Sequence, residues 1–331
     1  MADRNPTTLV ADDRTLTISR LIDAPRELVF DAWTNIKHLS QWWGPNGFST
    51  TTSAFDFRPG GSWRFVMHGP DGVDYENRIT VDAMTRPERL EYHHDRGDDA
   101  EPALFRTTVT FEDVGGKTRL TMRALFPSKE ERDRVIREHG AEEGGHQTVG
   151  RLAAYLGAVA ANGADKPVFT ITRTVDAPRA LVWEVYSQAG HLAKWWGPKG
   201  FTWIRGTLDF KSGGAFHYGM KAPNGMEMWG RFDYREIVPQ EKIIFTNSFS
   251  DAAGNIVRAP FAEISQDWPL KVLNTVIFTE RGGKTMLAMS GTPLDGTPAE
   301  LARFESMKSS MNQGFTGTFE QLDAYLAELR R

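Results

Sequence analysis

Two stretches of this chain are nearly the same sequence. Residues 23–61 read DAPRELVFDAWTNIKHLSQWWGPNGFSTTTSAFDFRPGG, and residues 176–214 read DAPRALVWEVYSQAGHLAKWWGPKGFTWIRGTLDFKSGG. They lie in a window of about 75 residues that aligns without a gap at an offset of 153, and about a third of the positions in that window are identical. A repeat of this length is a whole domain, so the sequence predicts two tandem copies of one fold.

Beyond residue 95 the repeat continues at an offset of 167, where Gly-Gly-Lys-Thr at 115–118 returns at 282–285. The second copy therefore carries an insertion of 14 residues, placed roughly between Asn247 and Val272. It contains the large apolar side chains Phe249, Ile256, Phe261, Ile264 and Trp268. Because this much apolar surface is a liability when exposed, we expect the insertion to cover a pocket or to pack against the first domain.

The length of 331 residues agrees with two domains, each large enough for its own core. The polar segment 162–167 ends in proline and interrupts helix, which predicts a linker. We therefore expect a flexible N-terminus at 1–14, a first domain at 15–161, the linker at 162–167 and a second domain at 168–331.

Within each copy the hydrophobic periodicity changes in a fixed order. A strand at 15–22 precedes a helix and a short second helix that carries the tryptophan pair. Six or so strands with alternating apolar residues follow, and a long amphipathic helix closes the copy. In the second copy this last helix is expected to run for about 30 residues. This order predicts an α+β fold in which a curved antiparallel sheet wraps around the C-terminal helix.

Four motifs carry a specific resemblance. Asp-Ala-Pro-Arg, Trp-Trp-Gly-Pro-x-Gly-Phe, Asp-Phe-x-x-Gly-Gly and the Gly-Gly-Lys-Thr hairpin look like the activator of heat-shock-protein-90 ATPase (Aha-type) C-terminal-like family, within the START or SRPBCC helix-grip superfamily. The resemblance covers both copies and implies two tandem helix-grip domains, each with a pocket between sheet and long helix. Because such proteins often pair as dimers, it also implies an intrachain pseudo-dimer.

Composition narrows the classes of function. The chain has no cysteine, which excludes disulfides, thiolate metal sites and a cysteine nucleophile. A formal charge of −4 lacks the basic field that nucleic-acid binding needs. The polar start and the lack of a run of about 20 apolar residues argue against a membrane protein and favour a cytoplasmic location.

Several motifs resemble chemical sites but have a simpler interpretation. Gly-Gly-Lys-Thr lacks the first glycine of a phosphate-binding loop and lies between two strands, which favours a tight hairpin turn. In His93-His94-Asp95, neighbouring side chains on a strand point to opposite faces, so only one histidine can reach a pocket. Three or four convergent ligands are needed for zinc, and we predict neither a metal nor a cofactor.

The inward face of the strands is the candidate binding surface. In the first copy it comprises Trp63, Phe65, Met67, Tyr75, Ile79, Val109 and Phe111. In the second copy it comprises Phe216, Tyr218, Met220, Met228, Phe232, Val276 and Phe278, with Phe315 on the last helix. Aromatic and methionine side chains suit an adaptable apolar ligand, although the same periodicity is typical of plain core. Arg78 and Arg231 recur on the opposite face, where we expect a surface ion pair rather than the alternative, a buried charge that binds a ligand carboxylate.

Three functions remain open at this stage. The first is binding of a small hydrophobic molecule in one or both copies, without an assigned reaction. The second is a co-chaperone that stimulates a chaperone ATPase; residues 1–14 are too short for the activator's separate N-terminal domain, which weighs against it. The third is a cofactor-independent cyclase, dehydratase or hydrolase, for which the recurring Asp56 and Asp209 are the best acid or base candidates.

Overall fold

The structure is a computed structural model that describes residues 13–95, 103–261 and 266–331. The chain forms two compact units, with the boundary between Val149 and Gly150. Each unit contains one seven-stranded antiparallel sheet. Together with the helices, the two sheets confirm the α+β class and the two tandem helix-grip domains.

The elements of the first copy follow the predicted order. They are β1 (Thr15–Ile22), α1 (Arg26–Thr34), α2 (Ile36–Trp42), β2 (Ser49–Phe55), β3 (Ser62–His68), β4 (Asp74–Thr85), β5 (Arg89–Asp95), β6 (Phe105–Val114), β7 (Lys117–Leu125), α3 (Lys129–His139) and α4 (Ala141–Asn162). The sheet order is β1-β7-β6-β5-β4-β3-β2, so six consecutive strands form a meander and the first strand pairs with the last.

The second copy repeats this order. Its elements are β8 (Phe169–Val175), α5 (Arg179–Ser187), α6 (Ala189–Trp195), β9 (Thr202–Leu208), β10 (Ala215–Lys221), β11 (Glu227–Val238), β12 (Lys242–Ser250), β13 (Val272–Arg281), β14 (Lys284–Pro293), α7 (Pro298–Ser306) and α8 (Lys308–Leu329). The sheet order is β8-β14-β13-β12-β11-β10-β9, which is the same topology.

The Gly-Gly-Lys-Thr motif forms a hairpin turn in each copy. Both glycines have positive φ, 62° and 84° for Gly115 and Gly116, as a tight two-residue turn requires. The buried Thr118 then donates its hydroxyl to the carbonyl of Ala24 at 2.7 Å, next to the start of α1. Thr285 makes the same bond to Ala177 at 2.8 Å. The motif therefore ties the hairpin to the first helix.

The tryptophan pairs anchor the short second helix. Trp42 is fully buried and its indole N–H donates to the carbonyl of Ala32 at 3.0 Å. Trp195 repeats this with Val185 at 3.1 Å. A buried indole with its polar tip satisfied fixes the angle between the two helices, so the first tryptophan of each pair is structural.

The C-terminal helix of the second copy is divided, contrary to the single helix of about 30 residues expected from its apolar stripe. Helix α7 ends at Ser306 and is capped by Met307, whose N–H bonds to the carbonyls of Arg303 and Phe304, and α8 begins at Lys308. In the first copy the aligned residue is Gly140, a left-handed cap with φ 59° between α3 and α4. Both copies keep the break, although only Gly140 is a residue that normally signals one. None of the helices in the described ranges is long and apolar enough to cross a membrane.

Candidate functional site

A cavity of about 220 Å³ lies between the inner face of the second sheet and helices α7 and α8. Strand alternation turns one face of β8 and β10 to β14 toward these helices. The cavity is lined by Phe169, Tyr218, Met228, Trp229, Gly230, Asn247, Ser248, Phe249, Trp268, Val272, Asn274, Gly291, Phe304, Met311 and Phe315. Its walls are mainly aromatic and aliphatic, and several lining side chains are only half-buried, which leaves a side open for entry.

Two glycines on the inner face shape the cavity. Gly230 pairs with Tyr218 across β10 and β11, and a Cβ at Gly230 would lie 2.4 Å from the phenol ring. Gly291 pairs with Asn274 across β13 and β14, and a Cβ there would lie 3.0 Å from the Asn274 Oδ1 atom. The missing side chains therefore let the tyrosine ring and the asparagine amide lie close to the sheet.

The polar side chains that line the cavity include the Asn247 and Asn274 amides on adjacent strands, the Ser248 and Tyr218 hydroxyls and the Trp229 indole. The Ser248 hydroxyl is buried and has no hydrogen-bond partner in the described structure. Asn274 is buried, and its Nδ2 donates to the carbonyl of Val272 at 3.0 Å. Within the described part of the chain, its Oδ1 and the whole Asn247 amide have no hydrogen-bond partner. Asn274 is a buried residue and Asn247 is half-buried, and both line the cavity, so these unpaired atoms are available to a ligand.

The cavity carries no formal charge from the side chains that line it within the described ranges. The only ionisable one is Tyr218, and burial raises its pKa to about 12, so its hydroxyl stays protonated at neutral pH. The site therefore offers apolar surface and neutral hydrogen-bonding groups.

The insertion closes one side of this cavity. Trp268 lines it and packs on Phe304 of α7 with ring centroids 5.6 Å apart. Arg258 donates to the Glu300 carboxylate and also to the carbonyl of Trp268. Glu300 in turn completes the capping box with Thr297 at the start of α7. The described part of the insertion thus behaves as a cover, and Ile264 lies outside the described residues.

A second, much smaller void of about 20 Å³ lies deeper against the same helix. Its lining includes Phe232, Val276 and Phe319, and Phe315 borders both spaces. A void of this size is close to the minimum for one water and is bordered almost entirely by apolar side chains. Phe315 is therefore the partition between the ligand-sized cavity and the core.

The predicted surface residues of the second copy are divided between cavity and core. Tyr218, Met228 and Phe315 line the larger cavity, while Phe232 and Val276 line the small void. The others, Phe216, Met220 and Phe278, are at most 5% exposed and belong to the core cluster. Asn247, Asn274, Phe169, Phe304 and Met311 were not among the predicted residues, although they also line the cavity.

In the first copy most of the predicted residues are packed inside. Trp63, Phe65, Ile79, Val109 and Phe111 are at most 2% exposed, and Met67 is half-buried. Tyr75 is 43% exposed and its hydroxyl donates to Asp71 at 2.9 Å. These contacts place the tyrosine at the beginning of strand β4, next to Phe48.

The His93-His94 pair divides between the two faces of β5 as the alternation predicts. His94 is half-buried and stacks on Phe105 with ring centroids 4.4 Å apart, and desolvation of its ring lowers its pKa to about 4. His93 lies on the outer face and contacts Asp82 at 2.9 Å. No cluster of three metal-ligating side chains exists among the residues that the structure describes. Asn247 aligns with His94, so both copies turn a polar side chain inward here.

The two recurring arginines of the outer face have different surroundings. Arg78 forms an ion pair with Asp95, and both are buried, at 7% and 6% exposure. A polar cleft of about 300 Å³ adjoins the pair. Arg231 pairs with Asp233 at 2.8 Å and donates to the carbonyl of Gly254 in a half-exposed setting. Only Arg231 is thus the surface ion pair that was expected for both.

A family model described as "Activator of Hsp90 ATPase homolog 1-like protein" matches residues 23–157 and again residues 176–327. The chain belongs to this family. It contains the family's domain twice, as the internal repeat requires. No curated protein matches the chain.

Solved structures similar to this family member are mostly about half its length. A protein from Arthrobacter aurescens is 25% identical, with a TM-score of 0.41, over 46% of this chain and 91% of its own. Protein Ms6760 from Mycobacterium smegmatis is 27% identical, with a TM-score of 0.41, over 44% and 93%. The di-domain ARO/CYC BexL from the BE-7585A biosynthetic pathway spans 95% of this chain and 98% of its own, at 14% identity and a TM-score of 0.37. Similarity of this degree does not establish a shared activity.

Proposed function

We propose that the second helix-grip domain binds a small apolar molecule in the cavity between its sheet and helix α8. The observation that carries the proposal is an apolar cavity of about 220 Å³ with two hydrogen-bonding amides that lack full protein partners in the described structure. Pockets for small molecules combine such walls with a few polar groups that orient the ligand.

Ordinary packing does not account for this space. Protein interiors are close-packed, and voids larger than a water molecule are few. The neighbouring void of about 20 Å³ is of that ordinary kind, whereas the cavity is roughly ten times larger. The half-buried Met228 at its border lies on the side that is open for entry.

The candidate acids give no support to the enzymatic alternative. The side chains of Asp56 and Asp209 are 53% and 58% exposed, and each pairs with a cation two residues later. Each also lies against the second glycine of its turn, where a Cβ would meet the Asp backbone carbonyl at about 2 Å. These carboxylates pair with cations at the surface, and they lie outside the lining of the cavity.

The family description makes activation of a chaperone ATPase the second candidate. It is tested independently of the cavity, by adding the full chain to an Hsp90-type chaperone and measuring ATP hydrolysis. Stimulation that persists when the cavity is filled would assign the activity to another surface of the chain.

The proposal is tested with variants in which a larger side chain fills the cavity. Met228→Trp replaces a lining side chain with a larger one, and Tyr75→Trp at the aligned exposed position of the first copy is the matched control. A panel of apolar molecules, from one ring to four, is screened by ligand-observed NMR against the full chain.

We expect at least one saturable ligand whose binding is lost in Met228→Trp and kept in Tyr75→Trp. A second filling variant, Met311→Phe, guards against misfolding of the first, and circular dichroism checks both. A panel without any ligand, or ligands retained by both folded filling variants, overturns the proposal.

A further inference from the structure

We infer that the ligand of this cavity is a neutral molecule of one or two rings that donates one hydrogen bond to the Asn274 Oδ1 atom. The inference rests on the proposed function and narrows it to a chemical class. It excludes fatty acids and other carboxylates, as well as extended polycyclic molecules.

The volume of the cavity limits the size of the ligand. A cavity of about 150 Å³ lined by apolar side chains holds benzene. Pockets for drug-sized molecules measure roughly 300–1,000 Å³. The present cavity, at about 220 Å³, lies between these and suits a single substituted ring or two fused rings.

The lack of charged side chains among the described residues around the cavity indicates that the ligand is neutral. The side chains known to line the cavity carry no charge at neutral pH. At its cover, the charged groups Arg258 and Glu300 form an ion pair with each other. A carboxylate in this cavity would lose its hydration without gaining a cation, which is strongly unfavourable.

The orientation of the Asn274 amide determines which partner donates the hydrogen bond between the protein and the ligand. The carbonyl of Val272 can only accept, so the amide must turn its NH₂ group there, as the 3.0 Å contact shows. The other end, Oδ1, is therefore an acceptor, and Gly291 leaves the space beside it free of a side chain. A hydroxyl or N–H on the ligand satisfies this acceptor, and the half-buried Asn247 amide adds a second polar contact on the next strand.

Three probes of matched size test the inference on the full chain at pH 7. They are 2-naphthol, which is neutral and donates a hydrogen bond, naphthalene, which cannot donate, and 2-naphthoate, which is charged. We expect 2-naphthol to bind about tenfold more tightly than naphthalene, since a buried acceptor gains a partner. We expect 2-naphthoate to bind at least about a hundredfold more weakly than 2-naphthol.

Substitution of Asn274 separates the contribution of this hydrogen bond to the affinity from the contribution of apolar packing. In Asn274→Val the advantage of 2-naphthol over naphthalene should disappear while naphthalene still binds. Asn274→Thr, which introduces the residue of the aligned position in the first copy, is the second variant, and Thr107→Val in that copy is the control. In the control both affinities should stay unchanged.

The outcomes distinguish this inference from the proposed function. If 2-naphthoate or a four-ring molecule binds as tightly as 2-naphthol, and Met228→Trp abolishes that binding, the site is real but the ligand class is wrong. If the 2-naphthol advantage survives in folded Asn274→Val, the assigned acceptor is wrong. If no probe and no panel member binds, the proposed function fails together with the inference.

Discussion

Tyr218 lies directly over Gly230 on the neighbouring strand, so that a Cβ at Gly230 would come within 2.5 Å of the phenol oxygen. The tyrosine ring borders the candidate cavity, where it also stacks on Trp203 at 5.9 Å. Because Gly230 has no side chain, the Tyr218 ring can lie where it forms one wall of the cavity. The first copy has Asn77 at the aligned position, opposite Phe65.

Gly230→Ala should displace the Tyr218 ring and reduce ligand binding. Inserting a methyl group into a packed contact typically costs about 1–3 kcal/mol of unfolding free energy. Asn77→Ala, at the aligned half-buried position, should cost under about 0.5 kcal/mol. Urea unfolding with each transition fitted separately measures both; equal costs would contradict the close contact.

The buried ion pair of the first copy should be more sensitive than its counterpart in the second. Arg78→Met leaves the buried Asp95 without its guanidinium, and breaking such a pair costs about 3–5 kcal/mol. Arg231→Met removes a pair whose side chains are over one-third exposed and should cost under about 1 kcal/mol. Calorimetry compares the two variants. The double variant Arg78→Met with Asp95→Leu should recover part of the loss, and no recovery would argue against an uncompensated charge as the cause.

The contact between the cover and α7 should depend on pH. The Arg258 guanidinium, followed by the Thr297 backbone N–H, holds the pKa of Glu300 below its ordinary value of 4.5. A depressed pKa stabilises the folded state above the unfolded-state value, and this contribution is lost as the pH falls through the folded-state value.

Glu300→Gln should therefore be less stable than the parent at pH 7, by about 1 kcal/mol. The difference should shrink below pH 4.5 as the parent carboxylate becomes protonated. Urea unfolding at pH 7, 5.5 and 4 measures it. A difference that stays constant over this range would show that the charge of Glu300 does not stabilise the fold.

Trp268→Ala should open the covered side of the cavity. The indole packs on Phe304 and borders the cavity, so its removal should cost about 2–3 kcal/mol and speed the release of a bound probe. Leu270→Ala, also in the loop between β12 and β13 but 42% exposed, is the control and should change neither quantity measurably. Stopped-flow displacement of bound 2-naphthol gives the rate. Equal release rates in the two variants would show that Trp268 does not cover the cavity.

The fold could be predicted from the sequence because its signals are local and repeated. Strand β1 has the bounds expected from apolar alternation, and the paired positive-φ glycines mark the hairpins. The break at Met307 gave no such signal in its own copy, because methionine is a good helix former. The aligned Gly140 carried it, so comparing the two copies position by position would have located the break.

The site could be predicted only in part because periodicity identifies a face of the sheet but not a position along it. Phe216 and Phe278 share the inner face with Tyr218, yet they pack in the core while Tyr218 borders the cavity. The cavity depends on absent side chains at Gly230 and Gly291, which hydrophobic patterns do not register. Asn274 interrupts an apolar strand, and such an inward polar residue is the signal that could have located the site.

Methionine-methyl NMR on the full chain, titrated with 2-naphthol, tests the central claim most directly. The chain has 11 methionines, of which Met228 and Met311 line the cavity and Met67 lies on the sheet of the first copy. Binding in the cavity predicts saturable shifts of the Met228 and Met311 methyl signals, caused by the ring current of the probe, while the Met67 signal stays in place. Unchanged Met228 and Met311 signals at saturating probe, or shifts centred on Met67, would contradict the account.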